Sequence, residues 1–176
     1  ISQLSELIGL NDLNLQGNSI TDISPLSQLG SLQILQLSQN PLTSLTALSS
    51  LDELWFLSVM AVGVSDIQPL SSLTGLRYLF VFGNGISDIS PLSACVHLDY
   101  LYADHNNIAD ISVLSGLTEL SSLSLKYNLI VDIAPLVSNP GLASGDEVGL
   151  DNNPLSLESI NTYIPALQAR GVTVTY

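Results

Sequence analysis

A leucine that returns every 22 residues, at Leu10, Leu32, Leu54, Leu76, Leu98 and Leu120, constrains this chain more than any other feature. Each opens the pattern L-x-x-L-x-L-x-x-N-x-I-x-D-I-S-P-L-S-x-L, carried in full by Leu10, Leu13, Leu15, Asn18, Ile20, Asp22, Ile23, Ser24, Pro25, Leu26 and Leu29. A unit this short cannot bury its apolar face alone, so successive units must stack around one continuous core. In the first half of each unit, apolar and variable residues alternate with the period of two that marks a strand. The second half is rich in turn formers and brings the chain back on the opposite side.

Several recurrent polar residues belong to this architecture. Asn18, Asn40, Asn84, Asn106, Asn128 and Asn153 occupy one position, where stacked asparagines can satisfy buried backbone groups. Asp22, Asp66, Asp88, Asp110 and Asp132 recur just ahead of the return turn, where an aspartate can accept bonds from N–H groups two or three residues on. Ser24 before Pro25 and Ser90 before Pro91 suggest an N-cap followed by proline at the first helical position.

The departures are equally specific. Val62 stands where asparagine is expected, so the backbone groups there need another partner or water. Cys95 and Asn139 replace leucines on the return side, and Cys95 is expected to act as a small buried filler. After Ile133 the register slips by three residues across Ser138 to Gly145, and the strand pattern resumes at Val148, Leu150 and Asn153. Ser156 to Arg170 reads as helical, capped by Ser156, stopped by Gly171 and divided by Pro165, and Val172 to Tyr176 reads as a last strand. The expected organisation is therefore the second half of a truncated repeat over 1–9, seven repeats over 10–155 with the last irregular, and a C-terminal cap over 156–176. On this reading the chain begins in mid-coil, as a fragment of a longer protein would.

The motif and its D-I-S-P-L half resemble the leucine-rich repeat, and in particular the 22-residue class of bacterial internalins and related surface proteins. The resemblance covers nearly the whole chain. It implies an α/β right-handed solenoid: a curved parallel sheet with short helical or 3-10 turns on the convex side. It also implies a non-enzymatic binding module in a bacterial cell-surface or secreted protein, with a protein ligand that no single residue identifies.

Charge and composition narrow the function further. The net charge is -13, from 16 acidic residues against Arg77, Lys126 and Arg170, so a phosphate backbone would be repelled. A single cysteine forbids an intramolecular disulfide. No apolar run approaches the roughly 20 residues that span a bilayer. Catalytic motifs are missing, and the best candidate is Asp104-His105 beside Asn106 at a strand end. Asp104, Asp146, Glu147 and Asp151 could offer oxygens to calcium, but without a compact D-x-D-x-D loop no metal or cofactor is assigned.

Function must then lie in the variable positions of the strands. There Phe56, Tyr78, Phe80, Phe82, Tyr100 and Tyr102 form an aromatic centre, with Trp55 and Tyr127 at its margins and Asp104 and Lys126 in a polar, mainly acidic rim. Of the six tyrosines, three phenylalanines and one tryptophan, only Tyr163 and Tyr176 fall elsewhere. Aromatic anchors inside a polar rim match the anatomy of a protein interface, and the acidic rim favours a basic partner surface. An intracellular leucine-rich scaffold, a glycan-binding module whose rings stack on sugars, and a passive spacer whose aromatics support one another are the alternatives.

Overall fold

The computed structural model describes every residue from Ile1 to Tyr176. Eight three-residue strands form one parallel sheet in strict chain order: β1 Asp12–Asn14, β2 Ile34–Gln36, β3 Phe56–Ser58, β4 Tyr78–Phe80, β5 Tyr100–Tyr102, β6 Ser122–Ser124, β7 Glu147–Gly149 and β8 Thr173–Thr175. Leu13 faces Leu35, Leu35 faces Leu57, and so on to Leu123, so each coil places equivalent residues side by side. Between β6 and β7 the register moves on as the sequence slip requires, with Leu123 opposite Val148.

On the return side the chain makes 3-10 turns at Ser24–Gln28, Thr46–Ser50, Gln68–Ser72, Ser90–Ala94 and Ser112–Gly116, and an α-helical turn, α1, at Ala134–Ser138. Strands and turns enclose a single core of 44 buried apolar residues, with Leu79 and Val81 fully buried. Right-handed coiling with strands on the short, concave side makes this a solenoid.

The caps differ from expectation at one point. Ser24 and Ser90 are the first residues of their turns and make no capping bond of their own. The cap is the preceding aspartate: Oδ1 of Asp22, Asp66, Asp88, Asp110 and Asp132 each accepts the N–H two residues on, all at 2.8 Å. Position decides: the side-chain oxygen two residues ahead of the capped N–H folds back over the turn, and where serine holds that place Ser44 Oγ accepts Thr46 N–H at 3.1 Å, whereas a serine inside the turn has no free N–H in reach.

The asparagines form the expected ladder. Asn106 Nδ2 donates to Ala103 O of its own coil at 3.1 Å and to Val81 O of the coil before at 3.0 Å, while its Oδ1 accepts Ile86 N–H at 3.0 Å. Val62 interrupts this without orphaning a backbone group that the asparagine would have served. Leu42 N–H donates to Asn40 O and Val62 O, and Leu37 O and Val59 O each keep one asparagine donor, from Asn40 and Asn84. Gly63, at φ +83°, turns its own N–H and that of Val62 toward Asn84 Oδ1.

Cys95 does more than fill space. Its thiol faces Leu73 O at 3.5 Å and Leu70 O at 3.7 Å, and Asn139 Nδ2, two coils later, bonds the equivalent carbonyls of Leu117 and Leu114 at 3.0 and 2.7 Å. Polar atoms at this position tie one return turn to the next. At the C-terminal end Ser156 Oγ accepts Ser159 N–H at 3.1 Å, as a cap would. Pro165 does not break the helix: a π-helical turn at Ser159–Tyr163 leads directly into α2, Ile164–Ala169. A wider turn absorbs the missing proline N–H and the bulk of its ring.

Two outcomes are expected. Val62→Asn should unfold at or above the wild-type temperature, since Leu37 O and Val59 O each accept one asparagine where the regular coils accept two; a drop worth more than about 1 kcal/mol would mean that the valine methyls are specifically packed. Burial raises the Cys95 thiol to about 11, so native protein at neutral pH should resist maleimide, and labelling should appear only with global unfolding.

Candidate functional site

Parallel register brings the variable positions into rows across the concave face. One row runs Ile34, Phe56, Tyr78, Tyr100, Ser122, Glu147, Thr173, and the next runs Gln36, Ser58, Phe80, Tyr102, Ser124, Gly149, Thr175. Strand spacing of about 4.8 Å is close to a comfortable ring-to-ring distance, so aromatics in one row stack. Tyr78 and Tyr100 lie 5.0 Å apart at 26°, and Phe80 and Tyr102 lie 5.3 Å apart at 18°. Phe56 tilts against Tyr78 and Phe80, Tyr100 runs parallel to Tyr102, and Trp55 closes the margin edge-on to Phe56 and Tyr78. These rings are half-buried.

The expected single patch of rings resolves into two groups. Phe82 contacts none of the other five central rings; it packs edge-on to His105 at 5.0 Å, and His105 stacks on Tyr127 at 4.1 Å and 15°. His105 and Tyr127 hold the same repeat position, the residue ahead of the ladder asparagine, at φ +53° and +55°. That left-handed backbone disfavours bulky residues. The stack accompanies a conformation that Gly17 and Gly83 adopt at the same position in other coils. The shared repeat position of His105 and Tyr127 is visible in the sequence, but their stacking is not.

Asp104 and His105 do not act as a pair. Asp104 Oδ1 accepts Ser124 Oγ–H at 2.6 Å and Lys126 N–H at 2.7 Å, which locks the carboxylate into the strand edge. Lys126 Nζ lies 2.9 Å from Asp151, which also accepts the Thr175 hydroxyl. The hydrogen bond to Asp151 raises the Lys126 ammonium above its ordinary range, and Thr175 first, then Lys126, holds Asp151 below 3.8. Asp146 accepts Ala143 N–H within its own turn, and no three acidic, histidine or cysteine side chains converge as a metal site would require. Two of the expected rim residues, Asp104 and Lys126, are thus already engaged within the fold.

The comparisons with known proteins follow the same lines. The family model described as "Leucine Rich repeats (2 copies)" matches residues 8–53 and 96–138. An internalin C2 from Listeria monocytogenes superposes with a TM-score of 0.84 at 33% identity, over 98% of this chain and 74% of that one. The chain belongs to the leucine-rich repeat family, in its internalin-like branch. A second internalin from the same organism, inlF, has a TM-score of 0.76 at 28% identity, and this leucine-rich repeat chain spans 59% of its length. A leucine-rich repeat protein of Leptospira interrogans shares the fold alone, with a TM-score of 0.68 at 19% identity over 100% of this chain and 57% of that one. No curated protein sequence matches. Internalin-like leucine-rich repeats are in general protein-interaction modules, and no helix here is long and apolar enough to cross a membrane.

A carboxyl titration tests the engaged rim. Asp151 should titrate below 3.8, and Thr175→Val should move it upward more than Lys126→Met does. Because the folded value is depressed, any stability from this carboxylate is present above 3.8 and is lost as pH falls through the folded value. A larger shift in Lys126→Met than in Thr175→Val would mean that the lysine, and not the threonine hydroxyl, dominates.

Proposed function

We propose that this repeat array is a protein-binding module of a secreted or surface-exposed bacterial protein, and that Phe56, Tyr78, Phe80, Tyr100 and Tyr102 form the centre of its binding surface. The observation that carries the reading is the way these rings stand. Stacked at 5.0 to 5.3 Å across strands, they turn their faces to each other and their edges outward. A sugar needs an open ring face, which such a stack withholds except at its end. A protein partner can instead pack apolar side chains over the ring edges and bond the tyrosine hydroxyls.

Trp55 extends the centre on one margin, and Phe82, His105 and Tyr127 form a second, more exposed cluster on the other. Phe82 and Tyr127 keep 39% and 48% of their surface in water, a cost that a partner would remove. With a net charge of -13, the module favours a partner with a basic contact surface, and association should slow as salt rises. The family resemblance supports the extracellular or cell-surface assignment, while the partner's identity is left to capture.

The competing reading is that the rings only brace the sheet, and stability measured beside capture separates the two. A photo-cross-linking p-benzoylphenylalanine at position 80 should trap one partner from a host-cell surface extract, while the same group at Val96, exposed outside the strand face, should not. Against the trapped partner, Tyr78→Ala should weaken binding by about 2 kcal/mol, near thirtyfold. The same variant loses ring contacts with Tyr100, Phe56 and Trp55, each worth about 0.5–1.5 kcal/mol, so the melting temperature should also fall by several degrees, and capture is the deciding readout. Undiminished capture alongside that drop would make the patch structural.

A further inference from the structure

The aromatic stack stops abruptly at β5. The next residues in its two rows are Ser122 and Ser124, followed by Glu147 and Gly149. Rings give way to two serines and then to Glu147 and a glycine, and the step opens a notch of about 300 Å³ between the Tyr102 ring of β5 and Thr173 and Thr175 of β8. Tyr102 ends one stack with its outer face toward this notch, and the bond between its hydroxyl and Ser122 Oγ at 3.0 Å pins the ring.

Charge around the notch is one-sided. Lys126 lies along the floor: a Cβ on Gly149 would come within 2.7 Å of Lys126 Cε, so glycine makes room for the lysine stem. The Lys126 ammonium is spent on Asp151. Glu147, exposed on the opposite wall, takes part in none of the chain's ion pairs and accepts no hydrogen bond. What is left in the notch is an open tyrosine face, a free carboxylate, and serine and threonine hydroxyls.

We propose that this notch receives one arginine side chain of the protein partner, with the guanidinium stacked on Tyr102 and bonded to Glu147. A planar, weakly hydrated cation suits a ring face on one side and a carboxylate on the other, and an ammonium would satisfy only the second. That the arginine belongs to a partner rests on reading the concave face as a protein-binding surface. The notch itself is a separate feature beside the ring cluster.

The test uses small probes on isotope-labelled protein, with the backbone amides of Ser122, Ser124, Gly149 and Thr175 as reporters. N-acetyl-arginine methylamide should shift these amides, and the neutral citrulline analogue of the same shape should act about fivefold more weakly. Glu147→Gln should bring the arginine probe down to the citrulline level. Ser122→Tyr, which adds one ring to the stack and fills the notch, should abolish the response while the protein stays folded. Equal responses to arginine and citrulline, or indifference to Glu147→Gln, would overturn the assignment, as would methyl β-glucoside moving the same amides in place of arginine. If position 80 captures a partner while the notch ignores arginine, only this inference fails. If the notch takes arginine while position 80 captures nothing, it is the reading of the ring cluster that fails.

Discussion

Everything in this molecule depends on how its coils share hydrogen bonds through the asparagine ladder. Each regular asparagine amide after Asn18 donates both to its own coil and to an earlier one, so that Leu15 O, Val81 O, Ala103 O and Leu125 O each accept two asparagines. The side-chain oxygen then takes an N–H of the preceding coil, as Ile20, Ile86, Ile108 and Ile130 show. Buried backbone groups left unpaired would cost about 1–3 kcal/mol each, so the ladder makes a tight turn tolerable in a dry interior. Because it spans coils, it also fixes their spacing and register. The array tolerates one missing rung at Val62 because its neighbours on both sides keep their own bonds.

Register held this firmly has a consequence on the opposite face. Equivalent variable residues are forced into rows at strand spacing, so an aromatic in one coil must meet whatever the next coil places beside it. Rings in consecutive coils therefore stack, and the serines and the glycine that follow them open a notch. The same rule acts at the strand ends, where His105 and Tyr127 stack although each occupies a backbone conformation better suited to glycine. A repeat scaffold thus turns a pattern of substitutions at a few positions into a relief of ridges and hollows without altering its core.

Charge follows a different logic from packing. The repeated aspartates ahead of the return turns are engaged with their own backbone, and those of β5 to β8 with a serine, a lysine or a threonine. Much of the acidity is therefore fixed in local bonds while still contributing to a field of one sign around the array. Glu147, like Asp12 at the far end of the same row, has no ion-pair partner, and among the carboxylates beside the Tyr102 ring it is the one that does not serve the fold.

The 22-residue period by itself determined the coil, the parallel strand order, the buried leucines and the asparagine ladder, because each follows from periodicity and from the need to satisfy backbone groups. It also determined that the aromatics share one face. The three-residue slip before β7 and the serine cap of the last helix were legible for the same reason: both rest on local chemistry. Only the tertiary structure decided that Ser24 and Ser90 do not cap their turns, that a π-helical turn carries the chain past Pro165, and that the thiol of Cys95 faces two carbonyls. It alone divided the rings into two groups, tied Asp104 and Lys126 into the fold and left Glu147 free. These outcomes turn on side-chain direction and on competition among neighbours for the same donors and acceptors. A repeat pattern states which residues are adjacent, but it cannot state which of several possible bonds each of them makes.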